Sequence, residues 1–415
     1  MTLSISSVAQ ATFAQAVPVQ EAQPGVKQTS IVPSAGSAAT GTVVTPSAAD
    51  PNVYDITGGA VSGGETPNLF HHLQQFNIGA GDVANFAASP EISNIINLIE
   101  DLDPSVIDGL LQVSGSGADL FVINPNGVIF GQNAQLNLAG SFTVSTADSL
   151  IFENQTFEVV GANGAYAAFG GDPTGYVFSN PTPGPIENNA SLAVNTGESI
   201  TLLGGTVQSD GTLSAPEGEI ALVAVPGEGV VRLSQVNSLL SLEIDPLNTP
   251  LLANEVSLPT LLTGGQPEEA LQIGEDPDGA VTLTAGNPDL TQPGSVVSSG
   301  GSFDVSGQNG GNAYFIGEQI ALFGVNVDTS GLQSGGGVYI GGIPEATDLS
   351  DSVLIDRTSV IAANGQTGDG GTVFVWSDGQ TRFYGQVDAS GVTADGEIDI
   401  NSNGILEQLV PQNRP

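Results

Sequence analysis

A short pattern returns four times between residues 300 and 400, and it restricts the fold more than any other feature of the chain. Phe303-Asp-Val-Ser-Gly-Gln-Asn-Gly-Gly311 is echoed by Val327-Asp-Thr-Ser-Gly-Leu-Gln-Ser-Gly-Gly336. It comes back as Ala362-Ala-Asn-Gly-Gln-Thr-Gly-Asp-Gly-Gly371 and as Val387-Asp-Ala-Ser-Gly-Val-Thr-Ala-Asp-Gly396. The glycines at 307, 331, 365 and 391 mark steps of 24, 34 and 26 residues, and the long step holds a polar insertion, Pro344 to Asp351, suited to a surface loop. A period in the twenties is one turn of a β-solenoid, made of a few short strands each followed by a turn. Such a coil buries its apolar residues only when neighbours stack on it, at about 4.8 Å per coil. A propeller blade needs roughly 40–50 residues. A sandwich has no reason to repeat Val-Asp-x-Ser-Gly.

The rest of the chain agrees with an all-β reading. Phe142-Thr-Val144, Leu192-Ala-Val194, Ile200-Thr-Leu202, Val281-Thr-Leu283, Val338-Tyr-Ile340 and Val373-Phe-Val375 each put alternate residues on one face, as strands do. Gly, Asn, Asp and Ser clusters separate them, and Gly reaches 56 of 415 residues, as a turn-rich chain requires. In one stretch, Ile92 to Leu111, the positions Ile95, Ile96, Ile99 and Leu102 fit a short helix or an extended segment equally well.

Charge narrows the partners. Five basic residues, Lys27, Arg232, Arg357, Arg382 and Arg414, stand against 44 acidic ones, for a net charge of −39. Nucleic-acid binding needs a basic footprint that is missing, and anionic lipid would repel the chain. Cysteine is absent, so the chain carries no disulfide in any compartment. No apolar run approaches the ~18–20 residues that span a bilayer. Residues 1–16 read as a truncated signal peptide. Leu3 to Phe13 is mildly apolar and Ala14-Gln15-Ala16 has the small-x-small form of a cleavage site, although the usual basic segment before it is missing. Residues 17–51, rich in Ala, Ser, Thr, Pro and Val, read as an extended lead-in.

Residues 52–152 are far less generic. They contain Tyr54-Asp-Ile-Thr-Gly-Gly59, Asn68-Leu-Phe-His-His-Leu73, Phe76-Asn-Ile-Gly79, and the run from Val113 through Leu120-Phe-Val-Ile-Asn-Pro-Asn-Gly-Val-Ile-Phe-Gly131. Ala134-Gln-Leu-Asn-Leu138 and Gly140-Ser-Phe-Thr-Val-Ser-Thr-Ala147 follow. Physically, Asn124-Pro125-Asn126-Gly127 is a turn between two strands, with Pro fixing φ and Asn and Gly accepting left-handed backbone. In order and spacing, the set resembles the secretion domain of two-partner secretion exoproteins, the filamentous-haemagglutinin and haemolysin type. The likeness continues more weakly through Leu202-Leu-Gly-Gly-Thr206, Gly211-Thr-Leu-Ser-Ala-Pro216 and Ala224-Val-Pro-Gly227.

The resemblance implies a right-handed parallel β-helix with an N-terminal cap and extra-helical strands and loops. It further implies export through the inner membrane on a signal peptide, then passage outward by a dedicated outer-membrane β-barrel transporter. The family's Asn-Pro-Asn-Gly element maps onto Asn124, Pro125, Asn126 and Gly127, which become the expected transporter-recognition residues. The family's second tetrapeptide, usually similar to Asn-Pro-Asn-Leu, is here Ser89-Pro90-Glu91-Ile92, a departure that bears on any contact at that site.

Parallel β-helices also host polysaccharide lyases and hydrolases, so an enzyme is the rival class, and such sites need clustered carboxylates with a basic residue or metal. Asp276 and Asp278, Asp304, Asp328 and Asp388 are the candidates. The last three recur at one repeat position before Ser-Gly and read as turn-forming residues. Arg357 and Arg382 read as surface arginines, and His71 and His72 as packing or surface residues. Asp369-Gly-Gly371 and Asp395 to Asp399 resemble oxygen-rich loops but lack EF-hand or tandem nonapeptide spacing. No cofactor, metal or catalytic residue is expected.

The chain is therefore expected to be a secreted or cell-surface β-helix protein of a Gram-negative-type cell, not membrane-spanning, with an adhesin role toward host cells, matrix or microbes. A toxin or enzyme domain carried outside this sequence is the alternative. The expected segments are a secretion domain at 52–165, continuing coils at 166–262, a loop-rich insertion at 263–290 and repetitive coils at 291–415.

Overall fold

A computed structural model describes residues 28–35, 40–153, 155–159, 166–232, 272–275, 281–284, 290–343 and 350–408. The proposed signal segment, residues 17–27 and 36–39 of the lead-in, residues 233–262 of the expected continuing coils, most of the 263–290 insertion and residues 344–349 lie outside them. Ser350 and Asp351, placed by the sequence reading in a polar loop, instead open the strand Ser350–Ile355.

The described chain is a parallel β-helix. A 12-stranded sheet, a 9-stranded sheet and a third face split between 5-stranded and 6-stranded sheets run side by side, each coil after the first giving one strand to each face. On the first face, Leu69, Ile95, Leu120, Phe142, Ile200, Ile220, Ala313, Val338, Val373 and Ile398 stack in one register column. All but the last are buried inside the column, where they meet inward residues of the other faces such as Phe130, Val207, Leu213 and Phe303. Burial of each such side chain is worth about 1.5–3 kcal/mol, so neighbouring coils hold one another in place. Asn94–Ile99 and Ser105–Ile107 are strands, which resolves the ambiguous 92–111 stretch in favour of extended backbone.

The repeat glycines stack as the period requires: Gly307 pairs with Gly331, Gly331 with Gly365 and Gly365 with Gly391. Beside them Asp304, Asp328, Ala362 and Asp388 are in register. The strands across 300–400 pair in parallel.

Two additions complete the helix. At its N-terminal end Ser30–Pro33 pairs antiparallel with Asn68–Asn77, and Val43–Pro46 with Val53–Thr57, so both strands of the first coil have covered edges. A 4-stranded antiparallel sheet, Gln155–Glu158, Ser149–Phe152, Gly175–Phe178 and Gly229–Arg232, stands outside the column. Its apolar side forms a second core with Phe70, Ile96, Phe121, Leu203 and Ala221 on the outer surface of the first face. Phe157 anchors that core, stacked on Phe70 at 5.1 Å and edge-on to Phe169 at 4.9 Å. The strands Gln272–Glu275 and Val281–Thr284 pair only with each other. The chain leaves the coil after Glu219–Ala224 and resumes it at Ser295–Ser299, which pairs with Val207–Ser209.

Candidate functional site

Asn124 to Gly127 join Asp119–Ile123 on the first face to Val128–Phe130 on the second. The turn is a corner of a coil rather than a hairpin, because each strand pairs with the coils on either side and not with its partner across the turn. Asn124, Pro125 and Gly127 are buried, and only Asn126 is partly exposed.

The turn's hydrogen bonds are spent within the protein. Asn124 Nδ2 donates to Ser105 Oγ at 3.0 Å and to Asp103 O at 3.3 Å, on the preceding coil. Its backbone N–H reaches Ser145 O at 3.0 Å on the following coil. Its side-chain oxygen accepts the Asn126 N–H at 3.0 Å, while Gly127 N–H closes the turn on Asn124 O at 3.0 Å. Asn126 Nδ2 donates to Asp101 O at 2.7 Å. Gly127 has φ of +117°, and a Cβ there would sit 2.8 Å from Pro185 O. Gly184 lies against the same turn from the next coil; a Cβ on it would meet Asn126 C and Gly127 N at 2.6 Å. The four residues thus act as a staple across three coils.

Ser89-Pro90-Glu91-Ile92 forms a different kind of corner, between Val83–Ala87 and Asn94–Ile99. Ile92 is buried and its N–H closes the turn on Ser89 O at 3.0 Å, while Ser89, Pro90 and Glu91 are exposed. The Ser89 hydroxyl and the Glu91 backbone N–H hold the Glu91 carboxyl below its usual pKa, so this corner presents a fixed negative charge to solvent.

Around these corners lies a polar framework that sequence reading passed over. Asn68, Asn94 and Asp119 share a register column at the start of the first-face strands. Asn68 Nδ2 donates to Phe169 O at 2.8 Å and Gly171 O at 2.7 Å, and Asn94 Nδ2 bridges Asn68 Oδ1 and Asp172 Oδ1, both at 2.9 Å. The outer sheet's connection is thereby tied to the coils. Asp119 is pushed up to about 6, chiefly by burial; the Ser141 N–H opposes this, and Glu198 and Asp172 add to it. The only available signal was an Asn or Asp before each apolar run, which looks like an ordinary turn residue.

Both histidines are buried. His71 points into the column, in register with Asn97, and burial lowers its pKa to about 4. Its Nδ1 is 3.2 Å from Thr42 Oγ1, which ties the N-terminal cap to the first coil. His71 Nε2 and the Asn97 side-chain amide are buried without hydrogen-bond partners. His72 faces outward, with Nε2 3.0 Å from Glu100 Oε1 and 3.1 Å from Val159 O.

The carboxylates weighed for catalysis are separated by role. Asp304, Asp328 and Asp388 each accept the N–H two residues ahead, from Ser306 at 3.0 Å, Ser330 at 2.9 Å and Ser390 at 3.0 Å. Burial works to raise Asp356, but N–H and hydroxyl donors from Gly324, Ser359 and Thr358 outweigh it and leave its pKa low. Arg382 Nε is 3.9 Å from Glu407 Oε2. Asp276 and Asp278 lie outside the described residues. Among the described residues no three His, Asp or Glu side chains converge as a metal site, and no helix is long and apolar enough to cross a membrane.

Comparison with known proteins gives one family: the model of the TPS secretion domain matches residues 34–272. No curated protein matches the chain. Among solved structures, the HMW1 secretion domain from Haemophilus influenzae is similar at 18% identity and a TM-score of 0.45, covering 92% of this chain and 96% of that one. The filamentous hemagglutinin secretion domain is similar at 17% identity and a TM-score of 0.41, covering 91% of this chain and 99% of that one.

Proposed function

The chain belongs to the family of TPS secretion domains, the N-terminal domains of exoproteins exported by an outer-membrane partner transporter, and from that premise we propose that Asn124, Pro125, Asn126 and Gly127 form its address. The transporter reads these residues while the chain is still extended, before the coils close. The observation that carries this reading is how little of the folded turn is left to read: three of the four residues are buried and the Asn124 amide is bonded to neighbouring coils. The same residues then serve a second purpose outside the cell, where their hydrogen bonds lock the early coils together. The exposed Ser89–Glu91 corner is a surface the folded domain keeps.

Beyond export, the role of the displayed column is adhesion to a cell, matrix or microbial surface, with no turnover. The candidate carboxylates Asp304, Asp328 and Asp388 support this reading, since each is committed to shaping its own turn. A polyuronide offered as substrate should yield no unsaturated sugar, and appearance of such product would move the chain to the lyases.

The address is tested by export of this chain from cells with and without the partner transporter, comparing the native sequence with Asn124→Ala and Asn126→Ala. Export should require the transporter and fall in both variants. Fall in Asn124→Ala alone would reassign the motif to folding. Equal export in every case would remove the address.

A further inference from the structure

Asn126 and Gly127 are a reactive pair as well as a turn. In an open chain the backbone nitrogen after an Asn reaches that side chain most freely when it belongs to Gly, which has no Cβ to block the approach. The Gly127 nitrogen attacks Asn126 Cγ and gives its proton to water. The new N–Cγ bond closes a five-membered succinimide, and the side-chain amide leaves as ammonia. Water then opens the ring. Cleavage at Cγ leaves aspartate, whereas cleavage at the backbone carbonyl routes the chain through Cβ and Cγ as isoaspartate, one main-chain atom longer.

The folded corner restrains both reacting groups. Gly127 is buried and its N–H is donated to Asn124 O at 3.0 Å. The Asn126 side chain is held by Nδ2 donating to Asp101 O at 2.7 Å, and the Asn126 N–H is fixed on Asn124 Oδ1 at 3.0 Å. Ring closure would break the Asp101 bond and turn the peptide between the two residues against Gly184. A Cβ at Gly184 would already come within 2.6 Å of Asn126 C and Gly127 N. The same packing leaves no room for an added main-chain atom. We propose that Asn126–Gly127 is a site of spontaneous deamidation in the extended chain, that closure of the corner shuts the reaction off, and that a chain isomerised there beforehand leaves the corner open. The chemistry is independent of what reads the turn. Its consequence for export rests on the address reading, in which the state that is read is also the state that ages.

Peptide mapping by mass spectrometry of the 415-residue chain, with no transporter present, decides the chemistry apart from the address. In mildly alkaline buffer the urea-unfolded chain should accumulate aspartate and isoaspartate at position 126. The folded chain should do so about a hundredfold more slowly, because reaction waits for the corner to open. In folded Asn124→Ala, which loosens the corner, the rate should rise about tenfold. Chains aged in urea, refolded and separated by their added charge supply the last readout. Those with isoaspartate at position 126 should exchange the amide hydrogens of Gly127 and Val128 at unfolded rates, while unaged chains protect them. Equal ageing of folded and unfolded chains, no product at position 126 in urea, an unchanged rate in Asn124→Ala, or a protected corner in the isoaspartate chains would each overturn the proposal.

Discussion

Asn124 illustrates how a turn residue becomes a tie between coils. Its amide satisfies Ser105 and the Asp103 carbonyl below, while its backbone holds Ser145 above. Truncation to Ala strands the buried Ser105 hydroxyl and removes a bond to the partly buried Asp103 carbonyl, so urea unfolding of Asn124→Ala should show a loss of roughly 2 kcal/mol; the half-buried Asn126→Ala should lose about half that. Gly184 is constrained from the other side of the same corner. A Cβ 2.6 Å from three backbone atoms cannot be relieved by a rotamer change, and Gly184→Ala should cost about 3 kcal/mol, the upper part of the overpacking range. Two buried titratable groups give opposite pH signatures. His71, with a folded pKa of about 4 against 6.5 in the open chain, contributes stability that is complete above the higher value. That contribution erodes as pH falls toward 4, by roughly 3 kcal/mol in all. Replacing His71 with Leu should flatten the melting temperature between those values. Asp119, raised to about 6 from 3.8, prefers its proton, so it costs stability as pH rises through that window. Asp119→Asn, which keeps the acceptor for Ser141, should melt higher than the native chain at pH 7 and alike at pH 4; a lower melt at pH 7 would refute the burial cause.

The coil strands and the outer sheet differ in whether a sequence repeat marks their partners, and this decides what could be read in advance. In the repetitive coils each strand meets the next turn of the same pattern, so the stacking of Gly307, Gly331, Gly365 and Gly391 and the Asx role of Asp304, Asp328 and Asp388 were legible from spacing alone. The outer sheet was not. Its strand Gly175–Phe178 pairs with Ser149–Phe152 on one side and Gly229–Arg232 on the other, and these strands carry no copy of the repeat that would mark the pairing. Residues 92–111 were undecided because buried strands carry apolar residues on both faces. Asn94–Ile99 is buried throughout, one side in the column and the other under the outer sheet. At the candidate site the turn was legible, but its burial was not, since that depends on Gly184 and Pro185 arriving from the next coil. The two cores also predict separable stability. Phe157→Ala removes the ring stacked on Phe70 and Phe169 at a cost of about 3–5 kcal/mol. Hydrogen exchange should then accelerate in Ser149–Phe152 and Gly175–Phe178, while Leu202 and Leu222 in the column keep their protection. Uniform loss of protection would show that the outer sheet and the column unfold as one.

At the scale of the molecule, the governing feature is the order in which strands join. From Asn68–Asn77 onward the first face adds strands in sequence order out to Glu397–Ile400, and the second face does the same from Ser105–Ile107 to Ile405–Gln408. No coil waits for a later segment to be inserted beneath it. A chain that emerges N-terminus first can thus fold as it appears, each coil offering an edge and an apolar face to the next. The absence of cysteine and the net charge of −39 suit such a chain, which stays unlinked and repels its own collapse until stacking begins. On this account, closure of each coil outside the membrane draws the remainder out. The direct test is the export rate through the partner transporter when stacking is broken downstream of the address, by Leu202→Asp with Leu222→Asp, neighbours in one buried register column. With the address intact and cellular levels matched, the rate should fall about tenfold or more, as each buried charge removes several kcal/mol of stacking. An unchanged rate would contradict the account, leaving the coils as a consequence of export with no part in driving it.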